Sequence, residues 1–470
     1  MTSPLSAPSP NSDPNATPAI TPLPGPTTQG LRRTLRLMNL ILRPLHYMET
    51  NAQRYGSVFK VGRPDRPPLV YVGDPTLLRA VLALDETQVT SARNNRILGI
   101  MVGEQSILML DGDPHRRQRK LLMPPFHGDR LRTYAGWIGD RTRQISATWQ
   151  PGQRLMVRPA MQQLTLGIIL QAVFGTAGNR DRAQQLEQAM SQLLDTFASP
   201  LSSCQLFFQS LQKDWGAWSP WGRFVRTRAQ IRQLIYAEIH DRRQALADPA
   251  IAATPPTDIL TLLLQAQDEQ GTGMSDVELH DQIITLLLAG HETTTSAIAW
   301  LLYWVHTQPG VKQRLQAELA ALGDAPDPLA ICQLPYLNAV CQETLRIYPI
   351  TPTAFVRVLE QPMSLGDYQF AAGTALMPAV YLIHRRPDIY PDPTEFRPDR
   401  FLDRQFAPHE FLPFGGGYRR CIGSALAMME LKLGLTTLLQ NFELTVTPDR
   451  PLHPVRRGLT LAPPAHLRLW

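Results

Sequence analysis

Residues 274–309, MSDVELHDQIITLLLAGHETTTSAIAWLLYWVHTQP, limit the fold more than any other stretch of the chain. Ser275 followed three residues later by Glu278 is a capping box, and Pro309 sets the far limit, so the spacing predicts a helix over 276–307. At 1.5 Å per residue such a helix is about 48 Å long, enough to cross a whole domain. From Ile283 to Val305 it is apolar on nearly every face, so it needs cover on all sides. Gly290, His291, Glu292 and the hydroxyls of Thr293 to Ser296 interrupt the run, which favours a buried core helix over a membrane span. A chain of 470 residues with 43% apolar and 18% charged residues can supply that cover.

The remaining pattern is mainly helical with small β-sheets. Helical periodicity marks 115–122, 128–146, 161–174, 182–197, 224–246, 311–322, 335–348 and 422–440, and strand-like pieces fall at 57–61, 68–72, 354–359, 374–376 and 442–447. No fixed-period repeat is present, which excludes solenoids and propellers. Prolines crowd 387–413, yet Tyr390, Phe396, Phe401 and Phe411 make that stretch a packed meander. Residues 1–29, rich in Pro, Ser and Thr, read as a flexible tail, and 30–470 as one domain. Residues 31–45 carry Leu31, Leu35, Met38 and Leu42 at helical spacing among basic residues, a face that packs on the domain edge or rests on a membrane surface. The formal net charge of +6 is spread along the chain and does not point to nucleic acid. Four cysteines without C-x-x-C spacing fit a reducing cytoplasm.

Three stretches carry chemistry. Around Gly290, the small residues Ala289, Thr293 and Ala297 form a stripe against which something flat could lie, and Glu292 beside Thr293 is an acid–alcohol pair able to relay protons. The alternative is an acid facing solvent and a threonine bonded to its own helix. Glu343 and Arg346 in PYLNAVCQETLRIYP stand three apart on an amphipathic helix, where an exposed pair contributes only about 0.2–0.5 kcal/mol. In FLPFGGGYRRCIG, residues 411–423, Cys421 follows three glycines and two arginines. It has no neighbouring base to make it a nucleophile and no companion ligands for zinc. A lone thiolate before a helix, with glycines admitting a planar group and Arg419 offering a fork for a carboxylate, meets the needs of a haem iron with one cysteine ligand.

The same loop resembles the cytochrome P450 haem signature F-x-x-G-x-R-x-C-x-G, with Phe414, Gly417, Arg419, Cys421 and Gly423 in its fixed positions and Gly415 as a frequent extra glycine. AGHETT is similar to the oxygen-activation motif of that family, ETLR to its E-x-x-R element, and FRPDRF to its arginine-bearing meander. The resemblance implies a triangular, prism-like helical domain with the long helix over the haem. It implies haem b bound through Cys421, with His115, Arg119, Arg357 and Arg419 toward the propionates, Ala289 and Gly290 against the ring, and Glu292 and Thr293 as proton carriers. Glu343, Arg346 and Arg400 would form a structural triad. The implied enzyme is a soluble bacterial, cyanobacterial-like, monomeric monooxygenase. It would use O2 and electrons that come from NAD(P)H through a ferredoxin or flavodoxin and its reductase, docking on a basic surface at Arg419, Arg420 and Lys432. A long-chain fatty acid or alkane, then a terpenoid, is the expected substrate. The expected pocket residues are Leu98, Ile100, Met101, Leu206, Phe207, Phe208, Leu286, Ile350, Ala354, Phe355 and Leu459. A peroxygenase or isomerase on the same fold, or a non-catalytic haem sensor, are the alternatives.

Overall fold

The computed structural model describes residues 23–26, 30–62, 67–92, 96–128, 130–175, 179–253, 258–323, 326–446 and 451–470. Its centre is the helix Asp276–Thr307. The Ser275 hydroxyl accepts the Glu278 N–H at 3.3 Å, and the Glu278 carboxylate accepts the Ser275 N–H at 2.8 Å. Helices Val157–Phe174, Pro220–Ala245, Pro335–Ile347 and Ser424–Asn441 pack around it. Trp300, Leu301 and Leu302 are fully buried there, each contributing about 1.5–3 kcal/mol. The helix stays regular through Gly290. A Cβ at that position would lie 3.1 Å from Ile169 Cδ1, so the glycine lets Val157–Phe174 approach closely.

Five strands form the main sheet in the order Val58–Val61, Leu69–Val72, Ala375–Pro378, Arg357–Leu359, Val89–Thr90. Leu69–Val72 runs parallel to Ala375–Pro378, and the other pairings are antiparallel. A separate hairpin joins Val455–Arg457 to Thr460–Ala462.

Several expectations need correction. Of the strand expected at 442–447, residue 447 lies outside the described residues and 442–446 form no strand: beyond the Phe442 N–H that closes the preceding helix, their only backbone pairing among the described residues is the mutual Thr445–Trp470 pair, at 3.1 and 3.3 Å. Most of the expected flexible tail at 1–29 lies outside the described residues. Within it, 23–26 lie against the first strand, where the Lys60 N–H donates to the Pro24 carbonyl at 2.8 Å. The basic stretch forms a helix over Gly30–Leu42 that packs on Pro44–Tyr55, Pro200–Phe207 and Val455–Arg457, burying Ile41 and leaving Leu35 exposed. Among the described residues, no helix is long and apolar enough to cross a membrane.

Candidate active site

Cys421 ends a loop closed by its own N–H, which donates to the Phe414 carbonyl at 3.0 Å. Gly415 and Gly417 sit at φ +66° and +64°, a region that strongly favours glycine. A Cβ on Gly417 would lie 2.4 Å from the Leu82 carbonyl oxygen, and one on Gly416 3.0 Å from a Leu82 methyl. Those two glycines therefore dock the loop on the helix Pro75–Ala83, whereas the sequence suggested room for a planar ligand. Gly423, which caps the helix Ser424–Asn441, does have open space around it. Cys421 is exposed, and it opens onto a cavity. Burial among protein atoms raises the thiol's pKa, while the Gly423 N–H, Arg119 and Arg420 oppose that shift. Iron coordination would hold the sulfur as thiolate outright.

Cations gather beside this loop. Arg419 is buried, donating to the Ile107 carbonyl at 2.9 Å, to the Leu110 carbonyl, and to Asp111 at 2.5 Å. Asp111 was missed by sequence reasoning, although it immediately precedes the helix Gly112–Leu122 that presents His115 and Arg119. Arg119 donates to the Arg420 carbonyl at 2.9 Å. His115 bonds Glu86 at 3.0 Å through Nδ1. Burial, then the charges of Arg419, Arg119 and Arg357, lower its pKa to about 3, so it stays neutral. Arg357 is buried behind the loop, donating to the Phe355 and Gly416 carbonyls at 2.8 and 3.0 Å, with its Nε unpartnered. Of these four residues, His115, Arg119 and Arg419 line the cavity and Arg357 does not.

Ala289, Gly290, Glu292 and Thr293 line the same cavity from the central helix. The Thr293 hydroxyl donates to the Ala289 carbonyl at 2.5 Å. Glu292 does not face solvent. Its Oε1 pairs with Arg158 and lies 3.4 Å from Arg457, while its buried Oε2 has no partner. Burial lowers the pKa of Arg158, and Glu292 opposes that shift. Glu430, which also borders the cavity, is a buried acid whose pKa desolvation raises well above the usual range.

Glu343, Arg346 and Arg400 meet away from the cavity. Arg346 donates to Glu343 at 2.6 and 2.8 Å, and Arg400 to Glu343 at 3.2 Å. The pair Glu343–Arg346 is fully buried, so it is not an exposed i, i+3 pair. Arg346 also donates to the carbonyls of His384, Pro393 and Glu395, which fixes the proline-rich meander.

The cavity holds about 1040 Å³. Leu98, Met101, Leu206, Phe207, Leu286, Ile350, Ala354, Phe355 and Leu459 line it, along with Phe414, Gly415 and Gly423 from the cysteine loop. Ile100 and Phe208 do not. Ile100 packs against the core, and Phe208 ends the helix Pro200–Phe207. Unforeseen lining comes from Leu40, Pro44, Met48 and Tyr71 near the N-terminus and from Arg456 near the C-terminus. The expected basic docking surface is also revised. Arg419 is buried, and Lys432 is buried with its ammonium 2.6 Å from the Cys332 carbonyl, leaving Arg420 exposed.

These residues fit a haem. An apolar cavity opens on one cysteine, the flanking arginines and a neutral histidine suit two propionates, and Arg419 Nε and Arg357 Nε are buried without partners. Known proteins agree. The family model described as Cytochrome P450 matches residues 29–469. A Mycobacterium tuberculosis protein named cytochrome P450 135B1 is 35% identical over 443 residues, covering 94% of this chain and 89% of its own length. Another from that organism, cytochrome P450 138, is 32% identical over 411 residues, covering 87% and 88%. Among solved structures, a cyanobacterial protein, CYP120A1 with retinoic acid bound, superposes with a TM-score of 0.81 at 25% identity, covering 96% of this chain and 99% of that one. The heme domain of cytochrome P450DA gives 0.80 at 23% identity, covering 96% and 97%. The chain thus belongs to the cytochrome P450 family, as a haem b monooxygenase that acts on hydrophobic substrates with electrons from NAD(P)H passed through redox partners.

Proposed function

We propose that this monooxygenase hydroxylates or epoxidises a long extended hydrophobic molecule, a long-chain fatty acid or alkane first and a terpenoid next. The observation carrying this reading is one cavity that joins Cys421 and Thr293 to a mainly apolar wall. Retinoic acid in the cyanobacterial neighbour, an isoprenoid with a carboxylate, is compatible with either class.

When bound, haem would supply oxygen activation, with electron density pushed onto iron by its thiolate ligand. Cys421 would be that ligand. Arg119, Arg419 and neutral His115 would hold the propionates, Arg419 by exchanging Asp111 for a propionate. Because Thr293 donates its own proton to the Ala289 carbonyl, its oxygen faces the cavity as an acceptor, able to hold a water's proton. Glu292 Oε2 is free to carry a second water, and the hold of Arg158 on Oε1 fixes the carboxylate in place beside the cavity. The intact acid–alcohol pair favours O2-dependent oxidation over a peroxygenase, an isomerase or a sensor. Arg420, with Arg116 and Lys120 exposed on the helix Gly112–Leu122, offers a basic face for an acidic ferredoxin or flavodoxin. Four unpaired cysteines suit a reducing cytoplasm.

A Soret spin-state titration of the purified protein with fatty acids, alkanes and terpenes tests the substrate class. Shifts are expected with long-chain acids and alkanes. No shift with any apolar ligand would refute the reading. The reduced CO spectrum should show the thiolate-ligated maximum, and its absence would remove Cys421 as the ligand.

A further inference from the structure

Arg456 is a cation without a counter-ion on the wall of an apolar cavity. It is buried, on the strand Val455–Arg457, and it borders the same cavity as Cys421 and Thr293. Its Nε donates to the Ile41 carbonyl at 2.9 Å and its Nη2 to the Leu40 carbonyl at 3.3 Å. Both carbonyls belong to the last turn of Gly30–Leu42, whose partial negative charge offsets only part of a full positive one. Among the described residues, Nη1 has no hydrogen-bond partner and no carboxylate forms a salt bridge with the guanidinium. The neighbouring Arg457 and Arg158 differ in this respect, since both pair with Glu292 and Arg457 also reaches Asp195 at 2.7 Å.

Isolated buried charge costs several kcal/mol unless a partner neutralises it. Here burial has already lowered the Arg456 pKa to about 10, with the Tyr71 phenol and the Cys204 thiol as the neighbours that oppose the shift. Tyr71, on the strand Leu69–Val72, also lines the cavity, and its hydroxyl has no partner among the described residues. Around these two polar groups the wall is apolar, with Leu40, Pro44, Met48 and Phe207, and the guanidinium carbon lies 5.4 Å from the Phe207 ring centroid.

We propose that Arg456 Nη1 and the Tyr71 hydroxyl form a carboxylate-binding subsite, so that the enzyme selects apolar substrates carrying one anionic carboxylate. The subsite rests on the reading of the cavity as a site for an extended hydrophobic substrate. The acid's head is held by residues of Leu69–Val72 and Val455–Arg457, while its chain runs toward the wall shared by Thr293 and Cys421. An alkane or a neutral terpene of equal length would leave the charge on Arg456 uncompensated.

The test uses the purified holoenzyme and a chain-matched pair, dodecanoic acid and dodecan-1-ol, with affinity read by calorimetry at pH 7.5. The acid should bind about tenfold or more tightly than the alcohol, the scale of a charge-assisted hydrogen bond. Arg456→Met should bring the acid to within about threefold of the alcohol and leave the alcohol's affinity unchanged. Arg456→Lys should keep a reduced preference, and Tyr71→Phe should weaken the acid alone by severalfold. An acid that loses nothing in Arg456→Met, or acid and alcohol weakened equally, overturns the subsite and leaves Arg456 as a cap on the N-terminal helix. Should Arg456→Met fail to fold, Tyr71→Phe and Arg456→Lys decide by the same acid-specific criterion. Equal affinity for both ligands in the wild type rejects the subsite alone. Absence of binding by either ligand rejects it together with the reading on which it rests.

Discussion

Glu292 and Arg158 form a buried ion pair between the central helix and the helix Val157–Phe174 packed on it, whose Ile169 reaches Gly290 farther along. The acid of the proposed relay is therefore fastened to the neighbouring helix. Removing one partner of a buried pair leaves an uncompensated charge, which costs about 3–5 kcal/mol. Arg457 remains near Glu292, so Arg158→Met should cost about 3 kcal/mol, at the lower end of that range. Denaturant unfolding of the holoprotein checks the value, and a loss under about 1 kcal/mol would mean that Arg457 alone suffices.

Thr293→Ala removes the acceptor facing the cavity while leaving the helix intact. The expected result is less product per NADPH consumed, with substrate affinity unchanged. Equal coupling in the variant would rule out Thr293 as a proton carrier.

Arg346→Lys keeps the charge but loses the forked contact with Glu343 and most of the donors to the His384, Pro393 and Glu395 carbonyls. A stability loss of about 3 kcal/mol or more is expected, together with poor haem retention by absorbance ratio. An unaffected melt would show that the meander is held by its aromatic packing alone.

Gly417→Ala places a methyl 2.4 Å from a main-chain oxygen at a backbone φ of +64°. The left-handed conformation alone costs about 1–2 kcal/mol, and the Leu82 carbonyl cannot swing aside as a side chain could. The thiolate-type CO spectrum should weaken or disappear.

His291 and His384 are fully buried, and burial lowers both pKa values to about 3. His384 Nε2 accepts the Leu412 N–H at 3.1 Å, a bond that only the unprotonated nitrogen can accept. A folded pKa below the unfolded value of about 6.5 means that the unfolded chain takes up the proton first, so stability declines as pH falls below about 6.5. Each histidine should contribute a loss of about 1 kcal/mol at pH 5.5. His384→Gln, read by urea unfolding at pH 7.5 and 5.5, should have a shallower pH dependence than the wild type.

Local signals carried much of this far. The capping box and Pro309 placed the central helix at its observed bounds of Asp276 and Thr307, because both devices act within a few residues. Cys421, Gly415 and Arg419 were likewise legible as one contiguous loop. The partners were not. Asp111 for Arg419, Arg158 and Arg457 for Glu292, and Tyr71 beside Arg456 lie on remote segments, and no periodicity announces a side-chain pairing across hundreds of residues. Gly290 was noticed for the cavity it lines, while the close approach of Ile169 behind it was not, since a glycine in a helix signals close approach without naming what approaches. Residues 442–446 failed as a strand for a related reason, as an apolar alternation becomes a strand only where a neighbour offers a ladder.

The bonds from Arg456 to the Leu40 and Ile41 carbonyls join residues 416 and 415 positions apart. During synthesis the first helix is complete long before residue 456 exists, so that side of the cavity has no wall while the ribosome is still at work. Substrate and haem therefore meet a finished chamber only once the hairpin that carries Arg456 has been made and has docked onto the helix Gly30–Leu42.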